Sequence, residues 1–299
     1  MKAISKITFL DDHGEKFFGE GPAQLLLGLE KSGSLRAAAQ AMDMAYTKAL
    51  KLVNHAETVL GFPLISRTTG GKSGGGSVLT SEGKKWLTRY EAYRDACIRE
   101  NQRLYREHFP KTGCIIMASG MGLRFGGNKL MADFGGKPLF LRAIEATQAL
   151  FDSRVVVTRH AEVAQICQEL GIHVVLHDLP HRSDTIRLGL EALGDADCCL
   201  FCPADQPLLR RETVAGLIES WMQQRGKIWR PACEDMPGGP ALFPAWTFAE
   251  LSSLPQDKGG STLMLRYPES VCYMNVSDPK ELTDVDTPQA LEELKKYLT

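Results

Sequence analysis

The chain has 299 residues, 43% hydrophobic and 24% charged, an ordinary globular composition with material for two hydrophobic cores. No apolar run approaches the roughly 18 residues needed to cross a bilayer, and the opening stretch MKAISKITFLDDHGEK is broken by charge, so neither a membrane span nor a secretory signal is expected, and a cytoplasmic protein is. The net charge of -1 conceals an asymmetry: residues 1–110 carry 16 Lys and Arg against 12 Asp and Glu, and residues 111–299 carry 19 against 24, as expected if a polyanion meets only the N-terminal part.

Two β-like runs, Ala3–Leu10 and Glu15–Phe18, flank the turn Asp11-Asp12-His13-Gly14 and predict a hairpin. A helix follows, with Pro22 in its first turn, Leu25, Leu26 and Leu29 on one face, and Gly33 as its end. Ser34 is suited to cap a second helix, Leu35–Met42, and after the tight Asp43-Met44 connection a third runs over about Tyr46–Leu60. Two short helices so close must cross steeply, which is the helix-turn-helix pattern. The third helix offers Tyr46, Thr47, Lys48, Lys51 and Asn54, side chains able to contact bases and phosphates. Pro63–Arg67 and Ser77–Thr80 flank a glycine-rich tip and predict a wing on which Arg67 and Lys72 meet phosphate. A further helix, about Ser81–Tyr105, spaces Trp86, Tyr90, Tyr93, Cys97 and Leu104 as an a/d seam and predicts a homodimer.

On the runs GSLRAAAQAMDMAYTKALKLVNHAE and TTGGKSGGGSVLTSEG, about residues 20–95 resemble the DNA-binding domain of the ModE and LysR-like regulators. The resemblance implies a winged helix-turn-helix that binds double-stranded DNA. A winged helix used for dimerisation or protein contact is the competing reading of the same fold.

Pro110-Lys111-Thr112-Gly113 breaks the long helix, giving two domains, residues 1–109 and 113–299. Beyond the break the pattern alternates: strand Cys114–Ala118, helix near Pro138–Leu150, strand Arg154–Thr158, helix Ala161–Leu170, strand His173–Leu176, helix Asp184–Leu193, strand Cys198–Cys202, helix Glu212–Gln224. That alternation predicts a Rossmann-like, doubly wound, mostly parallel α/β sheet, making the whole chain an α/β multidomain protein. The eight cysteines lie mostly in apolar runs and read as buried reduced thiols. Cys199 and Cys202 stand three apart on a strand and point to opposite faces, which argues against joint zinc binding. His173, His177 and His181 recur every four residues, but a strand and Pro180 separate them, which argues against a shared metal; His177 retains a place in the pocket.

In such sheets ligands bind where strands end. The loop after the first strand, Ser119 to Leu130, carries Gly120, Gly122, Gly126 and Gly127, which let backbone N–H groups approach phosphate, with Arg124 and Lys129 to neutralise its charge. The glycine spacing fails the dinucleotide fingerprint by one residue, and Asn128-Lys129-Leu130 fails the Walker pattern. Ser119, Gly120, Gly122, Arg124, Gly126 and Lys129 are therefore expected to bind nucleotide through another arrangement.

That loop, followed by Phe134-Gly135-Gly136-Lys137-Pro138-Leu139, resembles the nucleotidyltransferases that make nucleoside-diphosphate sugars and molybdenum-cofactor dinucleotides. Pro203-Ala204-Asp205-Gln206-Pro207-Leu208, Gly238-Gly239-Pro240-Ala241-Leu242-Phe243, Asp257-Lys258-Gly259-Gly260 and Asp284-Val285-Asp286-Thr287-Pro288 look like its molybdenum-cofactor cytidylyltransferase branch, related to MobA and MocA. The resemblance implies transfer of CMP from CTP to molybdopterin with release of pyrophosphate. Arg124, Lys129 and Asp205 are the catalytic candidates. Mg²⁺ needs oxygen ligands and bridges phosphates, which points to Asp205 with Asp286, and Asp284 as its alternate. Each has a plain structural reading as well: Arg124 and Lys129 as solvated charges, Asp205 as a turn residue, Asp286 as a helix cap. The chain departs from the branch in lacking Gly-Leu-Ser-Ser after the third strand, in Gly239 where histidine is common, and in opening its loop Ala-Ser-Gly, so GTP or a sugar phosphate remains open as substrate. A regulator that uses a degenerate transferase domain as its sensor is the alternative from another functional class.

Overall fold

The computed structural model describes residues 3–67, 76–234 and 236–298, and divides into two compact units, Met1–Phe109 and Pro110–Thr299. No helix among the described residues is long and apolar enough to cross a membrane.

The first unit opens with an antiparallel pair, β1 (Thr8–Leu10) and β2 (Lys16–Gly19). The first run is shorter than expected because only its last residues find a partner strand. Three helices follow, α1 (Glu20–Ser32), α2 (Leu35–Ala41) and α3 (Tyr46–Leu60), as the periodicity predicts. Gly33 ends α1 in the left-handed conformation, and the Ser34 side chain accepts from Ala37 N to cap α2. Strands β3 (Ile65–Arg67) and β4 (Ser77–Leu79) pair antiparallel, and α4 (Ser81–His108) completes the unit. The expected Lys72 contact and the tip around it, residues 68–75, lie outside the described residues. Leu25, Leu26, Leu29, Ala38, Ala49 and Val53 meet in one core.

The proposed seam on α4 requires correction. Tyr90 is buried against Phe9 and Phe18, and Trp86 packs edge-on to the same rings. Their spacing therefore records packing inside the unit, while Tyr93 and Leu104 are exposed.

The second unit contains β5 (Thr112–Ala118), α5 (Leu141–Ala146), β6 (Ser153–Thr158), α6 (Ala161–Glu169), β7 (Val174–Leu176), α7 (Arg182–Leu193), β8 (Cys198–Pro203), α8 (Arg211–Gln223) and β9 (Ile228–Cys233). It continues with β10 (Met236–Pro237), β11 (Ala241–Pro244), α9 (Phe248–Ser252), α10 (Ser261–Arg266), β12 (Val271–Asn275) and α11 (Pro288–Lys295). The strand order is β10-β9-β11-β8-β5-β6-β7, with β12 beside β9. β5, β6, β7 and β8 run parallel, as do β9 and β12, while β11 runs antiparallel to β8 and β9.

Alternate residues of β5 serve opposite faces: Cys114, Ile116 and Ala118 join one core with Phe140 and Trp221, and Ile115 joins another with Ile186 and Phe243. α5 is shorter than expected, because the segment from Lys129 first forms a short helical turn and an Asp133–Pro138 bridge, and the Thr147 hydroxyl donates back to Ala143 O at the helix end. Cys114, Cys167, Cys198, Cys199 and Cys202 are buried, and burial pushes the Cys202 thiol up to about 12. Cys97, Cys233 and Cys272 are only partly buried, against expectation.

Candidate active site

β5 delivers the chain to its carboxyl end at Ala118, whose carbonyl accepts from the Thr158 hydroxyl. The Ser119 hydroxyl donates to Val157 O at 3.1 Å and stands 2.9 Å from His177 Nε2. Phe125 N and Gly126 N then both donate to Gly122 O, curling the loop on itself. Gly122 has φ 61°, and a Cβ there would stand 2.2 Å from Gly127 O, so no side chain fits the turn. Asn128 closes the loop: its Oδ1 accepts from Leu130 N and its Nδ2 donates to Glu162. This anchorage turns Lys129 inward, leaving it 7% exposed.

The carboxylates come from two distant segments. Asp205 follows β8, and its carbonyl accepts from Val285 N at 2.8 Å, which draws the stretch before α11 alongside. Lys129 Nζ donates to Asp205 Oδ2 at 2.6 Å and to Asp286 Oδ1 at 3.0 Å, and Arg124 reaches the other oxygen of Asp286 at 2.9 Å. Thr287 caps α11 by accepting from Ala290 N, so Asp286 is not consumed as a helix cap. Asp284 stands beside them and accepts from Gln206 Nε2 at 2.8 Å.

The electrostatics follow from this clustering. Burial presses the Lys129 pKa down, and Asp205 and Asp286 more than offset it, so the ammonium is held firmly charged. The hydrogen bond from Lys129, aided by the charges of Lys129 and Arg124, holds Asp286 below the ordinary carboxylate range. Asp284 is raised, first by burial and then by the charge of Asp205. Three carboxylates thus face two cations, which leaves negative charge for a further cation; hard oxygen donors of this kind suit a divalent ion such as Mg²⁺ or Mn²⁺.

A cavity of about 400 Å³ opens at this point, lined by Ser119, Gly120, Lys129, Asp205 and Asp284 on one side and by the 179–182 segment and Asp257 on the other. His181 Nδ1 lies 2.8 Å from Asp257 Oδ1 and joins two of the lining loops. Burial and the nearby Arg159 lower the His177 pKa, and its Nδ1 is buried without a partner. Both causes favour the uncharged ring, which faces Ser119 Oγ through Nε2.

Of the residues expected to bind nucleotide or metal, Ser119, Gly120, Lys129 and Asp205 line the cavity, and Asp286 and Arg124 reach it through ion pairs. Gly122 and Gly126 shape the turn rather than the wall. His173 and His181 do not join His177 in a cluster; among the described residues the trio of metal-ligand types found together is Asp11, Glu15 and His55 in the first unit. The sequence reading did not select Gln206 or Arg182, although Gln206 immediately follows Asp205 in the same loop. In the first unit, Thr47, Lys48 and Lys51 lie exposed on α3, Tyr46 is half-buried under Arg36, and Arg67 on β3 donates to Asn54.

Residues 114–271 match the MobA-like NTP transferase domain family. Among curated proteins, the chain is 30% identical over 112 residues to a 3-deoxy-manno-octulosonate cytidylyltransferase of Francisella tularensis, covering 36% of this chain and 45% of that protein. It is 32% identical over 107 residues to a probable molybdenum cofactor guanylyltransferase of Bacillus licheniformis, covering 34% and 53%. The chain thus spans about half the length of the curated relatives it matches. Among solved structures, Rv0371c of Mycobacterium tuberculosis aligns with TM-score 0.57 and 23% identity over 63% of this chain and all of that one, and its manganese complex with TM-score 0.53 and 21% identity over the same shares. A CMP:2-keto-3-deoxy-manno-octonic acid synthetase complexed with CTP aligns with TM-score 0.53 at 17% identity, over 62% of this chain and 97% of that one. These likenesses concern the fold.

Proposed function

The chain belongs to the MobA-like NTP transferase domain family, and from that premise we propose that residues 113–299 transfer CMP from CTP to molybdopterin or molybdenum cofactor with release of pyrophosphate, while residues 1–109 form a winged helix-turn-helix module that binds DNA. The observation that carries the transferase reading is the convergence of Lys129 on Asp205 and Asp286 at the mouth of the glycine loop. Phosphoryl-type transfer asks for positioning and charge neutralisation rather than a covalent nucleophile, and these residues supply both.

In this reading the loop N–H groups from Ser119 to Arg124 cradle the triphosphate, the turn closed by Phe125 N and Gly126 N on Gly122 O holds them in place, and Lys129 and Arg124 neutralise it. Asp205 and Asp286, with Asp284 beside them, would hold Mg²⁺, which would supply positive charge to offset the negative charge of the phosphates. An oxygen of the acceptor's terminal phosphate forms a bond to the α-phosphorus, and the bond to the β-phosphate breaks with its electron pair leaving on pyrophosphate. Relatives named for cytidylyl and for guanylyl transfer both match, so base choice is tested directly. Purified chain with Mg²⁺ and molybdopterin is expected to release pyrophosphate faster from CTP than from GTP. Turnover with GTP alone would reassign the base, and turnover with neither would reject the enzyme.

For the first unit, the reading is supported by exposed Thr47, Lys48, Lys51 and Asn54 along α3 and by Arg67 held against Asn54, a face able to meet phosphates and base edges. Dimerisation is proposed through the distal part of α4, where Tyr93 and Leu104 stay exposed.

A further inference from the structure

Beside the triphosphate cavity lies a second one of about 250 Å³, and the two share Met117, Arg182, Pro203 and Asp284 as a common wall. Two lining groups of the second cavity have open polar valences. Arg230, half-buried on β9, donates from Nε to Gly238 O at 3.0 Å and sets Nη1 against Met264 Sδ at 3.6 Å, and no carboxylate lies within ion-pair distance of it among the described residues. Burial lowers its pKa, the mark of a guanidinium desolvated without a counter-charge. Gln206 is 2% exposed and spends both amide hydrogens, on Leu282 O at 3.1 Å and Asp284 Oδ1 at 2.8 Å, which leaves its Oε1 buried with no donor.

We infer that this second cavity is the acceptor subsite: Arg230 binds the acceptor's phosphomonoester, and Gln206 Oε1 accepts from a ring N–H or O–H of the same molecule. A half-buried guanidinium with no carboxylate beside it among the described residues asks for an anion, and its planar fork matches phosphate oxygens in pairs. A buried amide oxygen asks for a donor, which a bare anion cannot give. One ligand that carries both groups satisfies the cavity, and a simple anion satisfies half of it. The inference rests on the transferase reading for its meaning, since the shared wall at Asp284 sets an anion in the second cavity facing the α-phosphate in the first. A phosphate dianion needs no general base to attack there: one oxygen bonds to the α-phosphorus while the electron pair of the broken bond departs with pyrophosphate. Arg182 on the shared wall meets charge from both sides.

The test uses the full chain and its Arg230→Gln and Arg230→Lys variants, titrated by calorimetry with Mg²⁺ and a non-hydrolysable CTP analogue, then with molybdopterin. Arg230→Gln is expected to weaken molybdopterin by about ten- to hundredfold and leave the CTP analogue unchanged. Arg230→Lys should recover part of the loss, because charge returns without the fork. A Gln variant that binds molybdopterin like the parent overturns the subsite, and so does equal loss of both ligands, which would mark a structural role for the contact with Gly238. Phosphorus NMR of inorganic phosphate with the analogue-saturated chain separates the two claims. If the parent binds no molybdopterin yet loses phosphate broadening in Arg230→Gln, the acceptor named above is wrong and the anion subsite stands. If the substitution leaves the broadening unaltered, the subsite is wrong whatever the acceptor.

Discussion

Replacing Lys129 with methionine removes the one ammonium that joins Asp205 and Asp286 while keeping the apolar stem that packs in the loop. Breaking a buried ion pair by deleting one partner costs about 3–5 kcal/mol. The Lys129 and Asp205 side chains are 8% and 22% exposed, which places their contact in that class, whereas Asp286 at 39% is screened by water and adds little. A loss of about 2–4 kcal/mol is expected, or roughly 5–15 °C in Tm for a unit of this size. A pH signature accompanies it. Asp286 is held below the ordinary 3.8, so it contributes stability that is complete above that value and is lost as pH falls through the lower folded one. In Lys129→Met this acid-side loss should flatten. Mg²⁺ should stabilise the variant more than the parent, because a divalent ion can then occupy the point between the carboxylates without competing with the ammonium. Calorimetric melts at pH 7 and near pH 3, with and without Mg²⁺, read all three effects, and kcat should fall by about a hundredfold or more. An unchanged melt together with unchanged turnover would refute the central role given to Lys129.

Gly122→Ala forces a left-handed backbone and a clash with Gly127 O, and the KM for CTP should rise more than about tenfold as the phosphate loop deforms; a normal KM with a normal circular-dichroism spectrum would contradict the loop assignment. The His177 ring, whose pKa burial and Arg159 depress below 6.5, should titrate by NMR below that value. Its contribution to stability is then present above pH 6.5 and lost as pH falls through the folded value; a midpoint above 6.5 would contradict the buried neutral imidazole. Lys48→Ala and Arg67→Ala should each weaken salt-sensitive binding to duplex DNA by several-fold and lower its salt slope by about one. Affinities equal to the parent for both would reject the α3 and hairpin surface.

Local signals were legible to within a residue or two. Ser34, Gly33 and the leucine spacing place α1 and α2, and α3 spans Tyr46–Leu60 as expected, because caps and periodicity act within a few residues of their effect. Features that depend on distant partners were not. The α4 aromatics read as a seam between chains until Phe9 and Phe18, far away in sequence, supply the partners of Trp86 and Tyr90. The expected helix at Pro138–Leu150 shrank because turn chemistry before it and the Thr147 hydroxyl within it take over the ends. Lys129 meets Asp205 and Asp286 across 76 and 157 residues, so their residue types could be chosen from sequence while their mutual contact could not. Arg230 gave no signal and Gln206 only its place after Asp205 in a quoted motif, since an unsatisfied valence exists only once every neighbour is in place.

Label transfer tests the nucleotidyl-transfer assignment most directly. With Mg²⁺, molybdopterin and CTP labelled on its α-phosphate, the full chain should move the label onto the pterin product while the β- and γ-phosphates leave together as pyrophosphate. Label that stays in CTP, or that appears only as free CMP from hydrolysis, would contradict it.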